Sequence, residues 1–331
     1  MAEDGAALER IANQLAEALI GSATLSRREI AVQAGIDIEQ ARRLWQALGF
    51  PPVDDDDPVF TAADTAVLAA IHGMMAERGA SEEMVVQQTR VVGQALARVA
   101  DAQVSATLER VSTQLGDGGA PLATAIQSII EQAPQLEQFV RHAWRRHVIA
   151  AVLRLAAAPS SSGRETVVGF ADLSGFTAFS RSVDVPTLAA MVDRFEALAY
   201  EHILRYGGRV VKTIGDEVMF AVDEPHQAAE IALALVEAYG RDAELPNIRV
   251  GLAMGPVLAW EGDLFGPTVN LASRLANFAR PGAVLLAGGL GARLGDDARF
   301  ILRHLRAVRL KGIGAERAWV LRRAPPGPIA G

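Results

Sequence analysis

Two aspartates, two lysines, an asparagine and an arginine carry most of the chemistry legible in these 331 residues. Asp172 ends an apolar run in Phe170-Ala171-Asp172-Leu173-Ser174-Gly175-Phe176-Thr177, and Asp216 sits in Lys212-Thr213-Ile214-Gly215-Asp216-Glu217. They are 44 positions apart in the chain, yet adjacent strands of one sheet would bring them side by side. Paired hard oxygen ligands suit Mg2+ or Mn2+, with substrate phosphates completing the shell. A single Asp at a strand end is more often a turn former; one beside a small-residue loop and another on a hairpin tip reverse those odds. The stretch Leu173–Thr177 leads into a helix, whose first amides can meet a phosphate.

The cations are unevenly chosen. Thirty of the 32 basic residues are arginine, and the only two lysines are Lys212 and Lys311. An ammonium is a compact point charge and a guanidinium a planar fork, so the two are poor substitutes where one donor must meet one small acceptor. A third segment, Glu261-Gly262-Asp263-Leu264-Phe265-Gly266-Pro267-Thr268-Val269-Asn270-Leu271-Ala272-Ser273-Arg274, puts Asn270 and Arg274 four apart on a predicted helix. They share a face one turn apart, an amide and a guanidinium suited to a ribose and to a phosphoryl group under attack. Taken alone, that spacing is usually a solvated face.

The elements that must position these groups begin after Pro159-Ser160-Ser161-Ser162-Gly163, a linker by composition. Thr166–Asp172 reads as a buried strand and Pro186–Tyr206 as an amphipathic helix. Arg209–Ile214 and Glu217–Val222 read as strands of a hairpin turning at Gly215-Asp216. A helix to about Tyr239, strands at Ile248–Met254 and Val257–Trp260, a helix from about Thr268, and strands near Ala283–Leu286, Phe300–Leu310 and Trp319–Leu321 follow. Strand, helix, hairpin, helix, strand is the order of a ferredoxin-like core. Ahead of the linker the pattern is helical. Ser26–Glu29 and Asp37–Gln40 have capping-box spacing, Ser81–Leu115 predicts one long helix, and a last helix is expected from Pro134 to about Ala157. The expected organisation is a helical domain over 1–157, a linker over 158–165, a catalytic domain over 166–323 and a disordered tail over 324–331. The fold class is α+β, an all-α domain followed by a ferredoxin-like α/β domain.

Half the residues are hydrophobic and 21% charged, a globular balance. The chain has no cysteine, which excludes disulfides, thiolate catalysis and cysteine-bound zinc. An acidic N-terminus in place of a basic signal, and no apolar run long enough to span a bilayer, lead to the expectation of a cytoplasmic protein without a transmembrane segment. Residues 1–160 carry 13 Arg against 20 Asp and Glu, a net −7, whereas residues 161–331 are neutral.

Phe170–Thr177, Val211–Phe220, Asp263–Arg274 and Arg309-Leu310-Lys311-Gly312, in that order, resemble the catalytic domain of class III nucleotidyl cyclases over about residues 165–323. The short Met254–Asp263 connection is similar to the bacterial subgroup with a reduced dimerisation arm. The resemblance implies that Asp172 and Asp216 hold two divalent cations, Mg2+ or Mn2+. It makes Lys212 and Asp263 the base selectors, Asn270 the ribose-orienting amide, Arg274 the stabiliser of α-phosphoryl charge and Lys311 a contact for the terminal phosphate. Arg249 becomes a further phosphate ligand. The adenine edge shows an amino donor beside a ring acceptor, complementary to an accepting Asp and a donating Lys, so ATP is the implied substrate. The family's sites lie between two catalytic domains; one full set in one chain implies a homodimer with two shared sites.

Residues 1–157 resemble, more loosely, the helical regulatory domain of acid-responsive actinobacterial cyclases. Two readings compete with a regulated cyclase: a catalytically silent nucleotide-binding sensor, and a DNA-binding regulator using the helix-turn-helix-like residues 26–50. The intact Asp172, Asp216, Asn270 and Arg274 set argues against the first, and the acidity of the front half against any nucleic-acid partner. A diguanylate cyclase, suggested by Gly215-Asp216-Glu217, would need a doubled glycine. His142 and His147 lie on the last predicted helix, with His147 on the stripe of Val140, Ala143 and Ala151, where protonation is expected to disturb packing and so sense pH.

Overall fold

The computed structural model describes residues 2–116, 121–156, 165–295 and 297–325. The chain forms two compact units, Met1–Pro159 and Ser160–Gly331. The expected linker, apart from Glu165, lies outside the described residues, as do residues 326–331 of the expected tail.

The first unit consists of helices α1 (Ala2–Ile20), α2 (Arg27–Ala34), α3 (Ile38–Ala47), α4 (Ala62–Arg78), α5 (Glu82–Leu115) and α6 (Pro121–Ala156). Ser26 and Glu29 form a reciprocal capping box on α2, whereas Asp37 caps α3 only by accepting from the amide of Glu39. Pro134 does not start the last helix, as the sequence suggested; α6 begins thirteen residues earlier and runs through it. A proline is tolerated there at the loss of one helical hydrogen bond. Around α2 and α3 every arginine is spent on a carboxylate of the same unit. Arg27, 2% exposed, and Arg42 share Asp55, Arg28 pairs with Asp56, and Arg43 with Glu82. The Asp54–Asp57 loop thus pairs with three of these four arginines. No described helix is long and apolar enough to cross a membrane.

The second unit is built on a seven-stranded sheet. Its strands are β1 (Glu165–Leu173), β2 (Arg209–Ile214), β3 (Glu217–Val222), β4 (Ile248–Pro256), β7 (Val284–Ala287), β8 (Phe300–His304) and β11 (Ala318–Arg323), in the spatial order β2-β3-β1-β4-β7-β11-β8. The first four, with α8 (Val185–Arg205) and α9 (Pro225–Arg241), make the expected ferredoxin-like core; β4 and β7 pair in parallel and the other neighbours antiparallel. Two small ribbons, β5 (Leu258–Trp260) with β6 (Asp263–Phe265) and β9 (Val308–Leu310) with β10 (Gly314–Glu316), stand off it. On one face Val167, Phe220 and Leu252 of the sheet pack with Phe195 of α8 and Ile231 of α9. The opposite face carries Val168, Met219, Ala253 and Leu285 against Leu264, Leu275 and Leu310 from β6, α10 (Pro267–Phe278) and β9.

The expected strand Phe300–Leu310 divides, because β8 pairs with β11 while β9 leaves the sheet to pair with β10. The one-turn helix α7 (Phe176–Phe179) and α11 (Gly288–Leu294) complete the unit. In β2 the register slips: Val210 lies opposite Phe220, but Lys212 lies opposite Met219. Val211 is the extra residue of a bulge, so both it and Lys212 fall on the α10 face.

Candidate active site

The acidic groups come together through strand register. Asp172, near the end of β1, is flanked by Glu217 on β3 and Arg249 on β4, three charged side chains in one row on the α10 face. Asp216 joins the row from the β2–β3 turn, where its carbonyl accepts from the amide of Leu173 at 3.0 Å. Gly215 adopts a positive φ of 61° there, the left-handed geometry a tight turn requires. Arg249 grips Asp172 Oδ2 with Nε at 2.6 Å and Nη2 at 2.5 Å, and donates from Nη1 to the carbonyl of Asn277 on α10 at 3.1 Å.

Burial raises the Asp172 pKa; Arg249 opposes that rise and nearby Asp216 adds to it. Glu217 is pushed up to about 7, first by burial and then by Asp172 and Asp216. These shifts mark a place where negative charges are crowded together in a partly desolvated spot, which is what a cation would relieve. Asp172 and Asp216 supply hard oxygens suited to Mg2+ or Mn2+, and no group of three or more His, Asp or Glu side chains among the described residues forms a closed cage. Two carboxylates with phosphates filling the remaining positions fit such an ion.

A second pair lies on the same sheet face. Lys212 Nζ donates a short hydrogen bond to Asp263 Oδ2, and the amide of Leu264 donates to Oδ1 at 2.7 Å. The bulge in β2 supplies the lysine, and the β5–β6 hairpin supplies the aspartate. Helix α10 follows directly and presents Asn270 and Arg274 on its exposed side, where neither side chain makes a hydrogen bond or ion pair within the described residues. Lys311 is exposed at the β9–β10 turn, likewise without such a partner. The single chain thus gathers Asp172, Asp216 and Arg249 into one group and Lys212 and Asp263 into another, and leaves Asn270, Arg274 and Lys311 facing outward.

Residues 6–150 match the family described as "Adenylate cyclase regulatory domain", and residues 159–323 the "Adenylate and Guanylate cyclase catalytic domain". An adenylate cyclase of Glutamicibacter nicotianae is 36% identical over 312 residues, spanning 89% of this chain and 77% of the relative. The chain belongs to the class III adenylate cyclase family. An adenylate cyclase of Streptomyces coelicolor is 39% identical over 262 residues, covering 78% of this chain and 68% of the relative. The pH-sensitive adenylate cyclase MT1302 of Mycobacterium tuberculosis is 32% identical over 280 residues, covering 82% and 70%.

Within this cyclase domain Glu217 and Asn277 also take part in the site, although no motif assigns either a role. Glu217 adjoins Asp216 on a strand whose alternation places it on the charged face, a signal that was present. Asn277 carried none, because its part comes from a carbonyl met by an arginine 28 residues away.

Proposed function

We propose that the chain is a regulated adenylyl cyclase that converts ATP to 3′,5′-cyclic AMP and pyrophosphate in sites shared across a homodimer. The observation that carries the substrate is the Lys212–Asp263 pair, an ammonium donor beside a carboxylate acceptor on the sheet face that also bears the acidic row. Lys212 Nζ donates to the adenine ring nitrogen and Asp263 accepts from the amino group; guanine reverses both roles. Asn270 holds the ribose. Its 3′-hydroxyl gives up its proton to solvent as the oxygen attacks the α-phosphorus in line, the bond to the bridging oxygen breaks, and pyrophosphate leaves. Arg274 stabilises the charge on the α-phosphoryl oxygens, and Lys311 and Arg249 hold the outer phosphates. Asp172 and Asp216 would hold two divalent cations, Mg2+ or Mn2+, which would supply a lowered hydroxyl pKa and neutralisation of the triphosphate.

The dimer is supported by what the single chain leaves open. Asn270 and Arg274 face outward, and Leu258, Trp260 and Phe265 expose apolar surface on the hairpin beside them. A second copy arranged head to tail would meet this surface and receive Asn270 and Arg274 beside its own Asp172 and Asp216.

The test is incubation of the purified chain with ATP and Mn2+ and detection of cyclic AMP and pyrophosphate in equal amounts. Folded protein that binds ATP and forms no cyclic AMP returns the reading to a silent nucleotide sensor.

A further inference from the structure

Three contacts between strand β4 and helix α10 fix how the helix lies along the strand. At the C-terminal end of α10, Arg249 reaches the carbonyl of Asn277. In the middle, Gly251 lets the backbones meet: a Cβ there would lie 2.1 Å from the amide nitrogen of Ala276. At the N-terminal end, Thr268 Oγ1 donates to the carbonyl of Pro256 at 2.8 Å. The third contact differs from the others in what it encloses. Pro256 ends β4, the β5–β6 hairpin with Asp263 follows, and the chain returns through Gly266 into α10. The hydroxyl thus closes the base of the loop that connects the base-reading hairpin to the helix bearing Asn270 and Arg274.

A threonine in the first turn of a helix ordinarily spends its hydroxyl on its own helix or on water. Thr268 does neither; it is 7% exposed and bonds twelve residues back. Gly255 keeps the space clear, since a Cβ there would lie 2.7 Å from Thr268 Oγ1. Gly266, which precedes the helix, contributes no side-chain cap. The hydrogen bond therefore fixes how far the hairpin stands from the helix.

We propose that Thr268 is a positioning residue for catalysis and base choice. Its clasp on Pro256 holds Asp263 in register with Asn270 and Arg274, so that the base and the ribose-phosphate are engaged together. The proposal rests on the cyclase reading above.

The experiment compares Thr268→Val, which keeps the shape and removes the hydroxyl, with Thr268→Ser, which keeps the hydroxyl, and with Gly255→Ala, which presses on it. kcat and KM are measured for ATP and GTP with Mn2+, together with hydrogen exchange at the amides of residues 258–265 and of Asn270. Thr268→Val is expected to lower kcat for ATP about ten-fold and to narrow the ATP-over-GTP preference, with faster exchange in the hairpin. Thr268→Ser stays within about two-fold of the parent, Gly255→Ala resembles Thr268→Val, and the two combined add little, because both act on one hydrogen bond. An unchanged kcat and nucleotide preference in folded Thr268→Val, or equal losses in Thr268→Ser and Thr268→Val, overturns the proposal. Should Thr268→Val fail to fold, Gly255→Ala against Thr268→Ser decides by the same measures. If the parent chain itself makes no cyclic AMP, the cyclase reading falls. The clasp is then judged by exchange alone: hairpin protection equal in all variants refutes it, and protection lost without the hydroxyl upholds it.

Discussion

Both oxygens of Asp263 are engaged, Oδ2 by Lys212 and Oδ1 by the amide of Leu264, so the carboxylate is oriented before any base arrives. A substitution that reverses the donor and acceptor pattern should reverse the preference. Lys212→Glu combined with Asp263→Cys is expected to reduce the ratio of kcat/KM for ATP to that for GTP by at least about ten-fold, the discrimination a buried complementary pair provides. The ratio is the measurement, since total activity falls as well; an unchanged ratio in folded protein removes both residues as selectors. His202 makes a different prediction. Its Nδ1 is buried without a hydrogen-bond partner, and burial lowers its pKa, with Arg205 adding to that and Glu201 and Glu237 opposing it. The unfolded chain then takes up the proton first, so stability held above the ordinary histidine value of about 6.5 is lost as pH falls below it. Melting temperature measured from pH 7.5 to 5.5 should fall less steeply in His202→Gln than in the parent. The motif residues were legible because each belongs to a short local run with a recognisable chemistry. Thr268, Asn277 and the grip of Arg249 on Asp172 were not, because each depends on a contact 12 to 77 residues away in the chain.

Helix α10 is the element on which the site depends, and β4 is what fixes it. Gly251→Ala places a methyl group against the backbone of α10, within 2.1 Å of the Ala276 nitrogen and 2.4 Å of the Ala272 carbonyl, so a helix rather than a flexible side chain must move. A loss of about 3 kcal/mol or more is expected in denaturant unfolding, toward the upper end for overpacked cores, and any folded remainder should lose activity beyond its loss of stability. Wild-type stability in Gly251→Ala would mean that α10 sits more loosely on the sheet. The hairpin β2–β3 and helix α8 could be read almost to the residue, from the Gly215-Asp216 turn pair and from an uninterrupted helical period, although the bulge at Val211 left no mark in the pattern. Elements governed by partners elsewhere could not. A three-residue strand such as β6 or β10 is too short to show a period, and α6 continues through a proline that composition treats as a start.

At the scale of the whole molecule the proposed dimer divides each site between two chains. Asp172→Ala and Arg274→Ala should each be nearly inactive alone, and their mixture should recover up to a quarter of parent activity, as random pairing makes half of the dimers mixed with one intact site each. Mixed dimers formed by folded proteins but lacking activity would exclude the shared site. Control by the helical half was expected to run through His142 and His147. Both are exposed, as is Ala151, whereas Val140 and Ala143 of the same stripe are half-buried. Melting temperature and cyclic AMP formation, each followed against pH, separate the two sources of acid sensitivity. The loss of melting temperature attributed to His202 must persist in residues 160–331 alone, which contain both core clusters of the catalytic unit. A pH response imposed by the helical half must vanish there, and identical profiles for the full chain and residues 160–331 would exclude that control.

The bulge at Val211 has a consequence for how relatives are compared. Without it Lys212 would stand opposite Val218, whose side chain lies in the core beneath α8, and the ammonium would leave the face that holds Asp263. A homologue that lacks Val211 keeps its lysine opposite Met219, whereas one that retains the residue but pairs without the bulge turns the ammonium toward the core. The proposed base reading is thus tied to strand register as well as to residue identity, and a gap of one at Val211 leaves the lysine where a regular ladder of the same length would not.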